Sequence, residues 1–260
     1  MRQGTALARG RRRAASARWS AAVVFSAVLL AACSGSASPS ATPLAGDKLS
    51  GRTNATQPES CAPLSSPAAL VARSLVHITT PPDTSGQYSS GTGIIIDQDW
   101  VLTNEHVIDG AQNETLRLYF FDNDQSGRYD VLAPGRVVAA DPDLDLALVQ
   151  TDTDGLPTVI WGDEGKLQNG SPLIAVGFPL GLPTPALSSG RFLETQVDRA
   201  TGQAFIVSDV PLEHGESGGP LLNRCGQVVG INTARTRQDD LGLSLPEFGA
   251  RRWAVSNRPQ

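Results

Sequence analysis

Aromatic residues are scarce in this chain, methionine occurs once, and histidine and cysteine occur only three times each in 260 residues. Three cysteines in a chain of this length exclude a disulfide-stapled mini-protein, and the length is too short for two large domains. No apolar run exceeds 12 residues, and that one lies near the N-terminus, which excludes a multi-pass membrane protein. The 26 glycines follow no Gly-X-Y period, so collagen is excluded. No internal repeat and no helical periodicity of three turns stand out. Acidic residues are absent from positions 1–32, which carry six arginines. Without that segment 15 basic residues face 26 acidic ones, a net charge of −11. Such a surface repels a nucleic-acid backbone, so no nucleic-acid partner is expected. Two cysteines without a nearby histidine pair do not make a zinc ligand set, and neither metal nor other cofactor is expected.

The N-terminal arginines precede the apolar stretch 21–32, a length suited to a signal-peptide core rather than to a membrane span. The stretch ends in Leu30-Ala31-Ala32-Cys33, followed by Ser34-Gly35-Ser36. That pattern resembles a bacterial lipobox, which implies cleavage before Cys33 and lipid attachment to its sulfur. Residues 1–32 are therefore expected to be a lipoprotein signal peptide. Residues 33–65 are expected to be a lipidated cysteine and a tether. The tether is rich in Ser, Ala, Pro, Thr and Gly, and cannot bury enough surface to offset its ordering entropy. Export would place Cys61 and Cys225 in an oxidising compartment, where pairing them is the natural expectation. The chain-entropy model allows such a bridge at most about 5 kcal/mol.

From residue 66 the composition changes. Short stretches rich in Val, Ile and Leu alternate with Gly, Pro, Asp and Asn: 92–96, 116–121, 136–140, 146–150, 172–176, 204–207, 228–232 and 252–255. Recurrent short strands between turn residues signal a β-sandwich or a pair of barrels.

Three segments carry chemistry-bearing residues. The first contains Gly91-Thr92-Gly93-Ile94 and Thr103-Asn104-Glu105-His106-Val107, the second Asp141-Pro142-Asp143-Leu144-Asp145-Leu146-Ala147-Leu148-Val149, and the third His214-Gly215-Glu216-Ser217-Gly218-Gly219-Pro220-Leu221. They supply His, Asp and Ser in that order along the chain. A serine hydroxyl is a weak nucleophile until a base takes its proton. An imidazole titrating near neutrality can do that, with a carboxylate behind it to hold the tautomer. His77, in an expected strand at 74–79, has no motif around it, and His214 reads as a loop residue beside the serine. Asp141 and Asp143 compete with Asp145 as the acid.

Together the segments resemble the chymotrypsin-like serine peptidases, most closely their bacterial HtrA-type branch, over roughly residues 66–257. The resemblance implies an all-β fold of two six-stranded antiparallel Greek-key β-barrels with the active site between them. It implies His106, Asp145 and Ser217 as the catalytic set, Asp145 being chosen because it directly precedes the apolar run 146–149. It places the backbone N–H groups of Gly215 and Ser217 in an oxyanion hole. It puts Pro211, Thr233, Ala234 and Arg235 at the primary specificity pocket, flanked by a strand around 253–255. Polypeptide substrates follow from the same resemblance, while the lipobox implies a lipid anchor in a bacterial membrane and an outward-facing location. The implied activity is that of a serine endopeptidase.

Departures from the family pattern carry their own expectations. No Ile-Val-Gly-Gly-like segment is visible, so activation by a new N-terminal ammonium is not expected. Glu216 stands before the serine, where a buried carboxylate would need a partner that sequence does not name. The sequence stops at Gln260, which leaves no length for a PDZ domain and its peptide gating. Residues 235–249 read as a long polar loop.

Overall fold

Strand formation follows the apolar alternation in the segment Thr115–Phe121, where Leu116, Leu118 and Phe120 are buried, Thr115 and Arg117 are exposed, and Tyr119 and Phe121 are half-buried against the cluster on the other face. Elsewhere both faces are covered: all five residues of Leu75–Thr79 are buried. The computed structural model describes residues 71–111, 113–121, 128–153 and 155–259. In chain order the strands are β1 (Leu75–Thr79), β2 (Ser90–Asp97), β3 (Trp100–Thr103), β4 (Thr115–Phe121), β5 (Tyr129–Asp141) and β6 (Leu146–Thr151). The second set comprises β7 (Pro172–Gly177), β8 (Ala186–Val197), β9 (Ala204–Ser208), β10 (Pro220–Asn223), β11 (Val228–Arg235) and β12 (Gly242–Pro246). One α-helix follows, α1 (Glu247–Ser256).

The first six strands close into a barrel in the order β1-β2-β3-β6-β5-β4. The second six close in the order β7-β8-β9-β12-β11-β10, which is the same path shifted by six. All neighbours within the barrels pair antiparallel, as in β3 with β6, where Leu102 faces Leu148. The expected pair of six-stranded antiparallel barrels is thus present.

Each barrel is filled by its own aliphatic cluster: Ile78, Ile95, Leu118 and Val149 in the first, Leu173, Ile206, Leu221 and Val229 in the second. A third cluster joins the two. It contains Ile94, Leu102 and Leu148 from the first barrel, Val176, Leu222 and Ile231 from the second, and Ala250 and Ala254 from the helix. Burying apolar surface contributes about 25 cal/mol per Å², so this shared cluster helps hold the barrels together. The loops that leave the facing strands are thereby held near one another.

Two expectations about the C-terminal region are corrected. Residues 252–255, including the pocket-flanking strand expected at 253–255, form part of α1. Pro246 precedes the first helical turn, and Ala250 and Ala254, four apart, seat the helix on the barrel with both side chains buried. The strand completing the second barrel is instead β12, inside the segment read as a polar loop, where it pairs with β11 and β9. Segments 1–70, with Cys33 and Cys61, lie outside the described residues. Among the described residues no helix is long and apolar enough to cross a membrane, and no cluster of His, Cys, Asp and Glu is arranged to hold a metal ion.

Candidate active site

His106 lies in a single 3-10 turn, Glu105–Val107, immediately after β3. Buried Val107 anchors the turn, and fully buried Asn104 donates its side-chain N–H to the Asp145 carbonyl at 2.7 Å. The imidazole remains about half exposed, at 48%. Asp145 stands at the end of the β5–β6 turn with φ +53°, a left-handed conformation that Asp tolerates better than most residues. Asp141 Oδ1 caps that turn by accepting the Asp143 and Leu144 N–H groups at 3.1 and 3.0 Å. Asp141 thus serves the turn, while the Asp145 carboxylate reaches His106.

The contacts of Asp145 define a tautomer. Its two oxygens lie 2.9 and 3.0 Å from His106 Nδ1, and Oδ1 also accepts the His106 backbone N–H at 3.1 Å. A carboxylate only accepts, so Nδ1 carries the proton and Nε2 of the neutral ring presents a lone pair. Burial works to lower the His106 pKa. The Asp145 hydrogen bond and charge, with Glu105 and Asp109 adding theirs, outweigh burial and raise it above the ordinary histidine value.

Thr233, on β11, connects the acid to the serine. Its hydroxyl donates to Asp145 Oδ2, and its carbonyl accepts the Ser217 hydroxyl at 3.2 Å. Those contacts bring His106, Asp145 and Ser217 to one place from β3, β6 and the loop before β10. Among the described residues, no hydrogen bond joins Ser217 Oγ to His106 directly.

Glycine is required twice in the loop that carries Ser217. Gly215 has φ +97°, and a Cβ there would sit 2.2 Å from the Phe178 carbonyl oxygen. Gly218 has φ +81°, and a Cβ there would sit 2.1 Å from the Thr92 carbonyl oxygen. Only glycine allows both the backbone conformation and the approach. The carbonyl of His214 accepts the Leu180 N–H at 2.6 Å, and that of Glu216 accepts the Gly219 N–H at 3.0 Å. In a trans peptide the N–H points opposite to its carbonyl. The Gly215 and Ser217 N–H groups therefore face away from those partners, and neither donates to an acceptor among the described residues.

Glu216 is buried, 1% exposed, and its partners are a backbone group and a hydroxyl. Oε2 accepts the Glu213 N–H at 2.7 Å, and Oε1 accepts the Ser188 hydroxyl at 3.3 Å. Burial raises its pKa, the two hydrogen bonds oppose that rise, and the Glu213 charge adds to it. Of the residues expected at the specificity pocket, Thr233 is buried and bonded to Asp145, while Pro211, Ala234 and Arg235 are exposed. The Arg235 guanidinium lies 3.2 Å from Asp240 and 3.6 Å from Glu213, so its charge is already matched at the surface. His77, also a candidate imidazole, is buried on β1, hydrogen-bonded to Ser90 at 2.8 Å and stacked on Phe178. Burial lowers its pKa. His214 is exposed in the serine loop. Sequence reasoning missed Thr92, Ser188 and the turn Phe178–Leu182; a threonine flanked by two glycines in a buried strand was the only local signal.

The chain is similar to known proteins in sequence and in fold. Residues 91–231 match the trypsin-like peptidase domain. The chain is 40% identical over 162 residues to a probable periplasmic serine endoprotease DegP-like of Marinomonas sp. (strain MWYL1), covering 59% of this chain and 31% of the relative. It is 34% identical over 175 residues to the putative serine protease HhoB of Synechocystis sp. (strain ATCC 27184 / PCC 6803 / Kazusa), covering 64% of this chain and 39% of the relative. The chain therefore spans about a third of the length of the curated relatives it matches. Among solved structures, an HtrA-type protease AlgW with tripeptide superposes with a TM-score of 0.64 at 25% identity, covering 73% of this chain and 62% of the other.

Proposed function

Because the chain belongs to the trypsin-like peptidase family, in its HtrA-type branch, we propose that it is a serine endopeptidase acting through His106, Asp145 and Ser217. The observation that carries the reading is the linked set His106–Asp145–Thr233–Ser217 beside two backbone N–H groups with no acceptor among the described residues. In this reading the Ser217 hydroxyl leaves the Thr233 carbonyl by a turn about its side-chain bond and meets His106 Nε2. His106 takes the proton as Ser217 Oγ attacks the peptide carbonyl carbon. The developing oxyanion is held by the Gly215 and Ser217 N–H groups, each worth about 3 kcal/mol of transition-state stabilisation by analogy. His106 then gives its proton to the leaving amine, an acyl ester on Ser217 remains, and water activated by the same imidazole hydrolyses it.

The substrate reading is small or medium aliphatic side chains before the cleaved bond. Pro211 brings no charge for a basic side chain, and Arg235 is engaged by two carboxylates. A buried cation without a counter-charge is strongly disfavoured.

An envelope location is supported by relatives named as periplasmic endoproteases. We place the protein outside the bacterial membrane, held by lipid on Cys33 through the tether 33–65, with a Cys61–Cys225 bridge and a role in envelope protein quality control. Cys33→Ser is expected to abolish incorporation of labelled glycerol or fatty acid; wild-type protein that takes up neither label refutes the anchor.

A fluorophosphonate probe tests the chemistry. It is expected to label wild type and not Ser217→Ala, and only wild type should cleave casein. Esterase activity without casein cleavage would replace the peptidase reading by a hydrolase of small esters. No labelling at all would leave a peptide-binding protein on this scaffold.

A further inference from the structure

We infer that Thr92 is a positioning residue that sets the oxyanion-binding N–H groups through its buried hydroxyl; this rests on the peptidase reading. Thr92 belongs to the first barrel, on β2, while the serine loop belongs to the second. It is 0% exposed. Its Oγ1 donates to the Gly215 carbonyl at 2.7 Å and accepts the Phe178 N–H at 3.0 Å. Its own N–H donates to the Ser217 carbonyl at 2.9 Å, and its carbonyl accepts the Thr103 hydroxyl at 2.7 Å. One residue thus grips the serine loop on both sides of Glu216.

The hydroxyl acts on Gly215 from two directions. The peptide that follows Gly215 is held directly through its carbonyl. The peptide that precedes it is held through the Leu180 N–H, which donates to the His214 carbonyl at 2.6 Å and sits two residues beyond Phe178. Leu180 keeps φ +55° to reach that carbonyl, a conformation a leucine adopts only when its surroundings impose it. The Phe178 N–H bond to Thr92 is one such constraint. Without the hydroxyl, the buried Phe178 N–H and the half-buried Gly215 carbonyl both lose their partner, and the unsatisfied buried N–H drives local rearrangement. The His214–Gly215 peptide is then free to turn, which carries the Gly215 N–H out of the site.

The test compares Thr92→Val, which keeps shape and removes the hydroxyl, with Thr92→Ala and Thr92→Ser in the full chain. On a fluorogenic peptide, Thr92→Val is expected to lose about 10- to 100-fold in kcat, less than deletion of an oxyanion donor. KM should stay within about threefold, and affinity for a peptide boronate should fall in step with kcat. Thr92→Ser is expected to restore both. Hydrogen exchange read by mass spectrometry should speed up in Thr92→Val for residues 175–183 and 213–219 and stay unchanged for 94–102. If Thr92→Val does not fold, Thr92→Ala carries the same comparison. A kcat within about threefold of wild type, a loss confined to KM, or unchanged exchange in both segments overturns the proposal. A wild type that neither cleaves peptide nor takes a fluorophosphonate rejects the peptidase reading instead, and hydrogen exchange still decides whether Thr92 braces the loop.

Discussion

Replacing Asp145 by asparagine removes one charge and one acceptor from a group that accepts from three donors: the His106 ring, the His106 backbone and the Thr233 hydroxyl. The two carboxylate oxygens lie almost equally close to Nδ1, at 2.9 and 3.0 Å. An amide in their place puts an NH₂ beside Nδ1 in either orientation. The ring answers by moving its proton to Nε2, and the lone pair needed by Ser217 is lost. The imidazolium formed during the reaction also loses its counter-charge. In the serine-protease template the same change lowers kcat by about 10⁴, or about 5 kcal/mol at about 1.36 kcal/mol per decade. Steady-state cleavage of a fluorogenic peptide by Asp145→Asn measures the loss. NMR titration of the His106 ring in a Ser217→Ala background measures its cause: the pKa should fall, because burial remains while the charge that outweighs it is gone. A loss under about tenfold, a larger loss in Asp143→Asn, or a rise in the His106 pKa would refute the assignment. Asp143 gives the comparison a fair control, since its N–H serves the turn and the ring hydrogen bonds go to Asp145.

Three further outcomes are expected. Activity requires neutral His106, whose pKa is raised, so the rate should climb through a midpoint above 6.5 and be slight at pH 5. Stability from the protonated His106–Asp145 pair runs the other way: it is complete below the unfolded histidine pKa and lost as pH rises through the folded one; an acidic activity optimum contradicts a histidine base. Glu247, buried at the start of α1, has its pKa pushed up from 4.5 to about 7 by burial first and then by Glu164. Its neutral form stabilises the fold fully below pH 4.5, and that benefit is lost as pH rises through about 7, at most about 3 kcal/mol at about 1.36 kcal/mol per pKa unit. Glu247→Gln should therefore raise the melting temperature at pH 8 and not at pH 4; an equal shift at both contradicts the burial argument. A peptide library read by mass spectrometry should show cleavage after small or medium aliphatic residues. Dominant cleavage after Lys or Arg overturns the pocket reading, and dominant cleavage after Asp or Glu assigns Arg235 to specificity.

By itself the sequence determined whatever depends on neighbours along the chain. The strands β4, β6 and β7 were legible because alternating or continuous apolar residues end at turn formers. His106, Asp145 and Ser217 were legible because each sits inside a short run of distinctive residues. Tertiary structure decided what depends on distant partners. Residues 253–255 read locally as a strand because Trp and Val favour one, yet they are helical because Ala250 and Ala254 pack on the barrel, and alanines leave little apolar periodicity to detect. β8 escaped notice because half of its residues are polar and only Phe192 is buried. β12 escaped because its five residues sit inside a polar segment and need β9 and β11 to pair with. Glu216 acquired its partners from Ser188 and its own loop only on folding. Thr233 reaches Asp145 across 88 positions, and Thr92 reaches Gly215 across 123. Hydrogen bonds of that span leave no periodic trace in the residues between them, since each joins a residue of one barrel to a residue of the other and depends on the shared core that holds the two together.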